Sequence, residues 1–118
     1  MPAKLTTHVL DTAHGRPARE LQIELWLLAR GGRKLLKTVR TNRDGRTDQA
    51  LLGEGEMAPG EYELVFFVGD YFAAQGMVGS GVRFLDHVPV RFGIADAEAS
   101  YHVPLLCSPW AYSTYRGS

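Results

Sequence analysis

Arg19-Glu-Leu-Gln-Ile-Glu-Leu-Trp-Leu-Leu-Ala29 is the stretch whose reading decides the fold. Leu21, Ile23, Leu25 and Leu27 alternate with Gln22, Glu24, Trp26 and Leu28, which puts one apolar row on one side of an extended chain. This is a half-buried strand. Gly31-Gly32 is a turn signal after it, and Arg33 to Thr41 returns with Leu35, Leu36 and Val39 among basic groups, so the pair predicts a hairpin.

Working outward, the same two-residue period recurs. Glu61-Tyr-Glu-Leu-Val-Phe-Phe-Val68 sets Tyr62, Leu64, Phe66 and Val68 on one face and Val65 and Phe67 on the other, as expected of a central strand partly covered on both sides. Val88, Val90, Phe92 and Ile94 alternate with Pro89, Arg91 and Gly93, and Pro89 assigns that strand to an edge or a strand start. Residues 5 to 10 form a short β-prone stretch with Thr6, His8 and Leu10 on one face and Leu5, Thr7 and Val9 on the other. Asp11 to Pro17 reads as a loop. In the last segment Tyr101, Val103 and Leu105 oppose His102, Pro104 and Leu106, and a further short strand is expected within residues 111–115. Asp70-Tyr-Phe-Ala-Ala-Gln-Gly76 is the one plausible helix, with Asp70 as its cap and Gly76 as its end. Seven or eight short strands and one brief helix make an all-β chain, and strands at such close spacing predict a two-sheet β-sandwich.

Composition narrows the function. A length of 118 residues suits one domain, 1–118, and 13 basic against 13 acidic residues leave no charge excess directed at nucleic acid. No apolar run is long enough for a membrane helix and the start lacks a signal-like segment, so a cytoplasmic protein is expected. Cys107 is the single cysteine, which excludes an internal disulfide, and its apolar setting favours packing.

The chemistry-bearing residues are few. Of the four histidines, His8 and His102 lie on the more polar faces of their strands, while His14 and His87 sit in loop or strand-start contexts. No Cys-x-x-Cys, His-x-His or His-Glu-x-x-His spacing occurs, so no metal site is expected. No Gly-x-Ser-x-Gly elbow occurs, and Cys107 falls on the strand face opposite His102, which argues against a covalent nucleophile. Water activated by histidine, with arginine holding carbonyl or anionic oxygen, is the better enzymatic reading. The turn Asn42-Arg-Asp-Gly45 would present Arg46 on a fixed backbone. The terminal stretch Tyr101–Ser118 carries too much aromatic and apolar material for a solvated tail and suits a site or an interface.

Three segments together carry a family resemblance: residues 5–18, Asn42-Arg-Asp-Gly-Arg46-Thr, and above all Tyr101-His-Val-Pro-Leu-Leu-Cys-Ser-Pro-Trp-Ala-Tyr-Ser-Thr-Tyr-Arg-Gly-Ser118. They resemble the 5-hydroxyisourate hydrolases, the transthyretin-related enzymes of urate degradation. The terminal Tyr-Arg-Gly-Ser is the specific part, because the hormone-carrying transthyretins share the fold and lack that ending. The resemblance implies a transthyretin-like sandwich assembled as a homotetramer, a dimer of dimers with sites at subunit interfaces. It also implies hydrolysis of a small-molecule substrate without a cofactor. His8, Arg46 and His102 are the catalytic residues it implies, with Tyr115 and Ser118 joining His8 and Arg46 in substrate binding. Cys107 and Trp110 depart from the residues commoner there, at packing positions. The competing expectation is a non-enzymatic carrier of a small aromatic ligand in the same channel.

Overall fold

The computed structural model describes residues 2–79 and 81–117. Its strands are β1 (Leu5–Thr6), β2 (Val9–Asp11), β3 (Arg16–Pro17), β4 (Gln22–Ala29), β5 (Gly32–Arg40), β6 (Gly60–Phe66), β7 (Val88–Ile94), β8 (Tyr101–His102), β9 (Leu105–Cys107) and β10 (Tyr112–Thr114). One helix, α1 (Val68–Ala74), follows β6.

The decisive stretch is the spine of the first sheet, whose order is β5-β4-β6-β7 and whose pairings are all antiparallel. β4 pairs with β5 as the expected hairpin, and the register slips between Leu25 and Trp26, where Leu25 faces Lys37 but Trp26 faces Leu35. Leu36 is therefore the bulged residue. Pro89 lies on β7, which is an edge of the sheet, so its missing N–H breaks no ladder within the chain.

The second sheet joins the two ends of the chain. β1 runs parallel to β8 and β2 runs parallel to β9, with the same offset in both pairings, Thr6 opposite His102 and Leu10 opposite Leu106. Between them Val103 donates its N–H to Thr6 and Leu105 donates to His8, so the ladder continues through the gaps. Residues 5–11 thus act as one strand and residues 101–107 as another, giving eight strands among the described residues. β10 covers β9 on one side, and β3 folds back on β2 from the other. That last pairing corrects the loop expected over Asp11–Pro17. The turn closes because Gly15 donates its N–H to the Asp11 carbonyl.

The two sheets bury their facing rows. Leu5, Val9, Leu105 and Cys107 from one sheet meet Ile23, Leu25, Leu64 and Phe66 from the other, each at most 1% exposed. Burying such a side chain contributes about 1.5–3 kcal/mol, which makes this layer the main support of the fold. Cys107 behaves as a packing residue here. Its thiol points to the Leu10 carbonyl, and burial together with the nearby Asp11 carboxylate pushes its pKa up to about 12. Among the described residues no helix is long and apolar enough to cross a membrane.

The helix begins earlier than the sequence suggests. Phe67 occupies the cap position without a side-chain cap, and Asp70 lies in the first turn, paired with Arg83 at 2.6 Å. Tertiary bonds do the work of the cap: Phe67 donates its N–H to Gln22 and Gly69 donates to Asp86.

Asp11 is the most deeply buried carboxylate among the described residues, only 1% exposed against 8% for Glu63. It accepts from the His14 backbone N–H, the His14 ring and the Tyr71 hydroxyl at 2.9, 2.6 and 2.8 Å. Burial alone would raise its pKa, but the bonds from His14 and Tyr71 and the His14 charge together hold it below the ordinary 3.8. A carboxylate depressed in this way stabilises the fold fully above its unfolded value and loses that contribution as pH falls through the lower folded one. Asp11→Ala is therefore expected to lower stability by about 1–3 kcal/mol at neutral pH. In urea titrations the difference from wild type should narrow only below pH 3.8.

Candidate active site

The site grows from the parallel pairing of the two chain ends. Because Thr6 and His102 are register partners, their side chains emerge side by side on the face away from the core. The Thr6 Oγ1 lies 2.8 Å from His102 Nδ1, which fixes the ring about its axis. His102 is half-buried, and its pKa is lowered by that burial first and then by the charges of Arg46 and His8. A histidine so placed stays neutral at neutral pH and can accept a proton.

Arg46 arrives from the Asn42–Gly45 turn. The Asn42 Oδ1 accepts the N–H groups of Asp44 and Arg46, and the Asn42 N–H donates to the Arg46 carbonyl at 2.7 Å. Arg46 is thus clasped on both sides of its own backbone. Gly45 presses the turn against β2: its carbonyl accepts the Val9 N–H at 2.8 Å, its φ is +75°, and a Cβ there would meet the Val9 oxygen. No other residue type fits that approach.

His8 closes the arrangement. Its Nε2 lies 2.8 Å from the Asp44 carbonyl, and since a carbonyl only accepts, this nitrogen carries the proton and donates it. Nδ1 of His8 is then the lone-pair nitrogen. The turn that carries Arg46 therefore also sets the tautomer of His8.

His102 and Arg46 border a cleft of about 480 Å³, lined also by Lys4, Thr6, Thr47 and Asp48; His8 is not among its lining residues and stands beside it, bound to the Asp44 carbonyl. The sequence singled out Arg46 and His102 but missed Thr6, whose role depends on a partner across the sheet. It also missed Lys4, Thr47 and Asp48; Asp48 had the one usable signal, its nearness to the Asn42 turn, whose side-chain N–H it accepts at 3.0 Å. Tyr115 lies elsewhere within the chain. It is 60% exposed and lines a second groove of about 360 Å³ with Val90, Phe92, Tyr101, Val103 and Thr114. Ser118 lies outside the described residues. Neither His14, bound to Asp11, nor His87, tilted against Phe67 with ring centroids 4.1 Å apart, is among the residues lining the first cleft. Among the described residues no group of three or more His, Cys, Asp or Glu side chains is placed to hold a metal ion.

The arrangement offers a neutral histidine and a clasped guanidinium on one open cleft, with a second histidine of fixed tautomer nearby. That is equipment for acid–base chemistry on a polar, oxygen-rich small molecule. Fold and site together define an all-β sandwich hydrolase.

The chain belongs to the HIUase/Transthyretin family, whose profile matches residues 5–117. It is 57% identical over 115 residues to 5-hydroxyisourate hydrolase 2 of Rhizobium meliloti, covering 98% of this chain and 96% of that relative. Among solved structures, (S)-allantoin synthase superposes with a TM-score of 0.91 at 48% identity, covering 99% of this chain. The chain spans 45% of the length of that protein. The 5-hydroxyisourate hydrolase of Klebsiella pneumoniae superposes with a TM-score of 0.82 at 28% identity, covering 98% of this chain and 99% of its own.

Proposed function

We propose that the protein opens the six-membered ring of 5-hydroxyisourate at the N1–C6 amide, giving 2-oxo-4-hydroxy-4-carboxy-5-ureidoimidazoline in urate degradation. The observation that carries this reading is the meeting of His102 and Arg46 on one cleft, with His8 close enough that its protonated form would disfavour protonation of His102.

In the proposed reaction His102 deprotonates water. For that its Nδ1–H donates to Thr6 Oγ1, which leaves Nε2 as the nitrogen that takes the proton. The lone pair of His8 Nδ1 orients the water or relays the proton. Arg46 binds substrate oxygens and offsets the negative charge that gathers on the carbonyl oxygen as the tetrahedral state forms. The amide nitrogen leaves with a proton returned from the histidine pair, so the ring opens to a carboxylate and no cofactor is consumed.

Tyr115 and Ser118 are proposed to position the purine-derived ring. Tyr115 does not line the cleft of its own chain, and this supports an assembly in which subunits share the site. A homotetramer built as a dimer of dimers, working in the cytoplasm with each 1–118 chain as one hydrolase domain, is the form proposed.

The experiment follows 5-hydroxyisourate by ultraviolet absorbance with and without the protein. The expected result is loss far faster than spontaneous decay. Binding without acceleration would overturn the reading in favour of a carrier.

A further inference from the structure

Arg116 and Gly117 fold back onto Tyr101 and His102. Gly117 donates its N–H to the His102 carbonyl at 2.8 Å and forms a bridge pair with it. The approach is close enough that a Cβ on Gly117 would lie 2.5 Å from His102 Cδ2, 3.2 Å from Cγ and 3.3 Å from Cβ. Real carbon atoms do not share space at 2.5 Å, so only glycine fits this contact without moving the ring. The segment is held down by its neighbour. The Arg116 guanidinium stacks 4.1 Å from the centre of the Tyr101 ring, and the Tyr101 hydroxyl accepts the N–H groups of Ala95 and Asp96 at 3.1 Å.

The geometry of the imidazole gives this contact a purpose. Nδ1 and Cδ2 are the two ring atoms attached to Cγ, on opposite edges. Thr6 holds the Nδ1 edge and Gly117 walls the Cδ2 edge. That leaves the far end of the ring, Cε1 and Nε2, to meet the cleft that His102 lines. We propose that Gly117 is a positioning residue for His102, and that Arg116–Gly117 is a strap holding the imidazole at one angle with Nε2 facing the cleft. This deepens the proposed function, since it rests on His102 being the base.

The strap also limits water around the ring. Burial is the first cause of the lowered His102 pKa, ahead of Arg46 and His8. The other charged groups near the ring are Lys4 and Asp48 in the cleft and Arg116 in the strap; none of them is altered by a change at Gly117.

The test compares wild type, Gly117→Ala, Arg116→Lys and His102→Ala. Steady-state kinetics are recorded across pH, with NMR titration of the His102 ring in the chains that retain it. For Gly117→Ala the expected result is a fall in kcat of about 10²-fold with a smaller change in KM. Its His102 titration and the acid limb of kcat/KM should both move to higher pH as the displaced ring gains water. Arg116→Lys, which keeps the charge but gives up the planar stack on Tyr101, should shift both in the same direction by less, and it serves if the first variant does not fold. An unchanged His102 titration in these variants overturns the proposal, even if kcat falls. Full activity in His102→Ala would instead sink the assignment of the base, while the titrations would still report on the strap.

Discussion

Replacing His102 with alanine is expected to lower kcat for ring opening by about 10²–10⁴-fold, the contribution of a positioned general base. KM should change far less, because the oxygen-binding guanidinium of Arg46 remains. The pH profile gives a second signature. A base works only when unprotonated, so wild-type kcat/KM must fall as pH drops through the pKa of His102. Burial, and then the charges of Arg46 and His8, lower that pKa from its ordinary 6.5, so the acid limb should lie below pH 6.5 and the rate should be level through neutrality. In the alanine variant the residual rate should lose that limb. Stopped-flow absorbance measurements across pH would decide it, and a wild-type rate in the variant would remove His102 from the mechanism.

Arg46→Ala is the second large effect, with an expected loss of about 10²–10³-fold in kcat from removing a donor that meets developing oxyanion charge. This variant should also raise KM, since the same fork binds ground-state oxygens. It has a consequence that simple loss of binding lacks. The Arg46 cation helps hold the His102 pKa down, so its removal should move the acid limb of kcat/KM to higher pH. Arg46→Lys separates the two roles. It keeps the charge, so the limb should stay near its wild-type position, but it loses the planar fork and should recover only part of the rate. Equal acid limbs in wild type and Arg46→Ala would show that the guanidinium and the His102 ring are not electrostatically coupled.

Much of this was legible in the chain because strands write their burial in every second residue. Leu21, Ile23, Leu25 and Leu27 predicted β4, Pro89 predicted an edge, and the Asn42 turn predicted a fixed Arg46. Where the reading failed, the deciding partner was distant. Asp70 looked like a cap, but the cap is Phe67, and the N–H groups of Phe67 and Gly69 find Gln22 and Asp86. Arg16–Pro17 looked like loop, yet it pairs with β2. Tyr115 and His102 are only 13 positions apart, but one chain places them on different grooves.

Local pattern and motif therefore determined every strand but β3, the sandwich, and the identity of His8, Arg46 and His102 as the groups worth watching. Only the tertiary structure decided how those groups are set. The parallel pairing of the two chain ends brings Thr6 to the His102 ring across 96 residues, the Gly45 turn docks on β2 to fix the tautomer of His8, and Gly117 closes the last edge of the imidazole. The physical reason is the range of the interactions. Alternation records which face of a strand meets the core and is carried by neighbouring residues, whereas the orientation and proton affinity of a side chain are set by contacts within a few ångströms in space, whatever their separation along the chain.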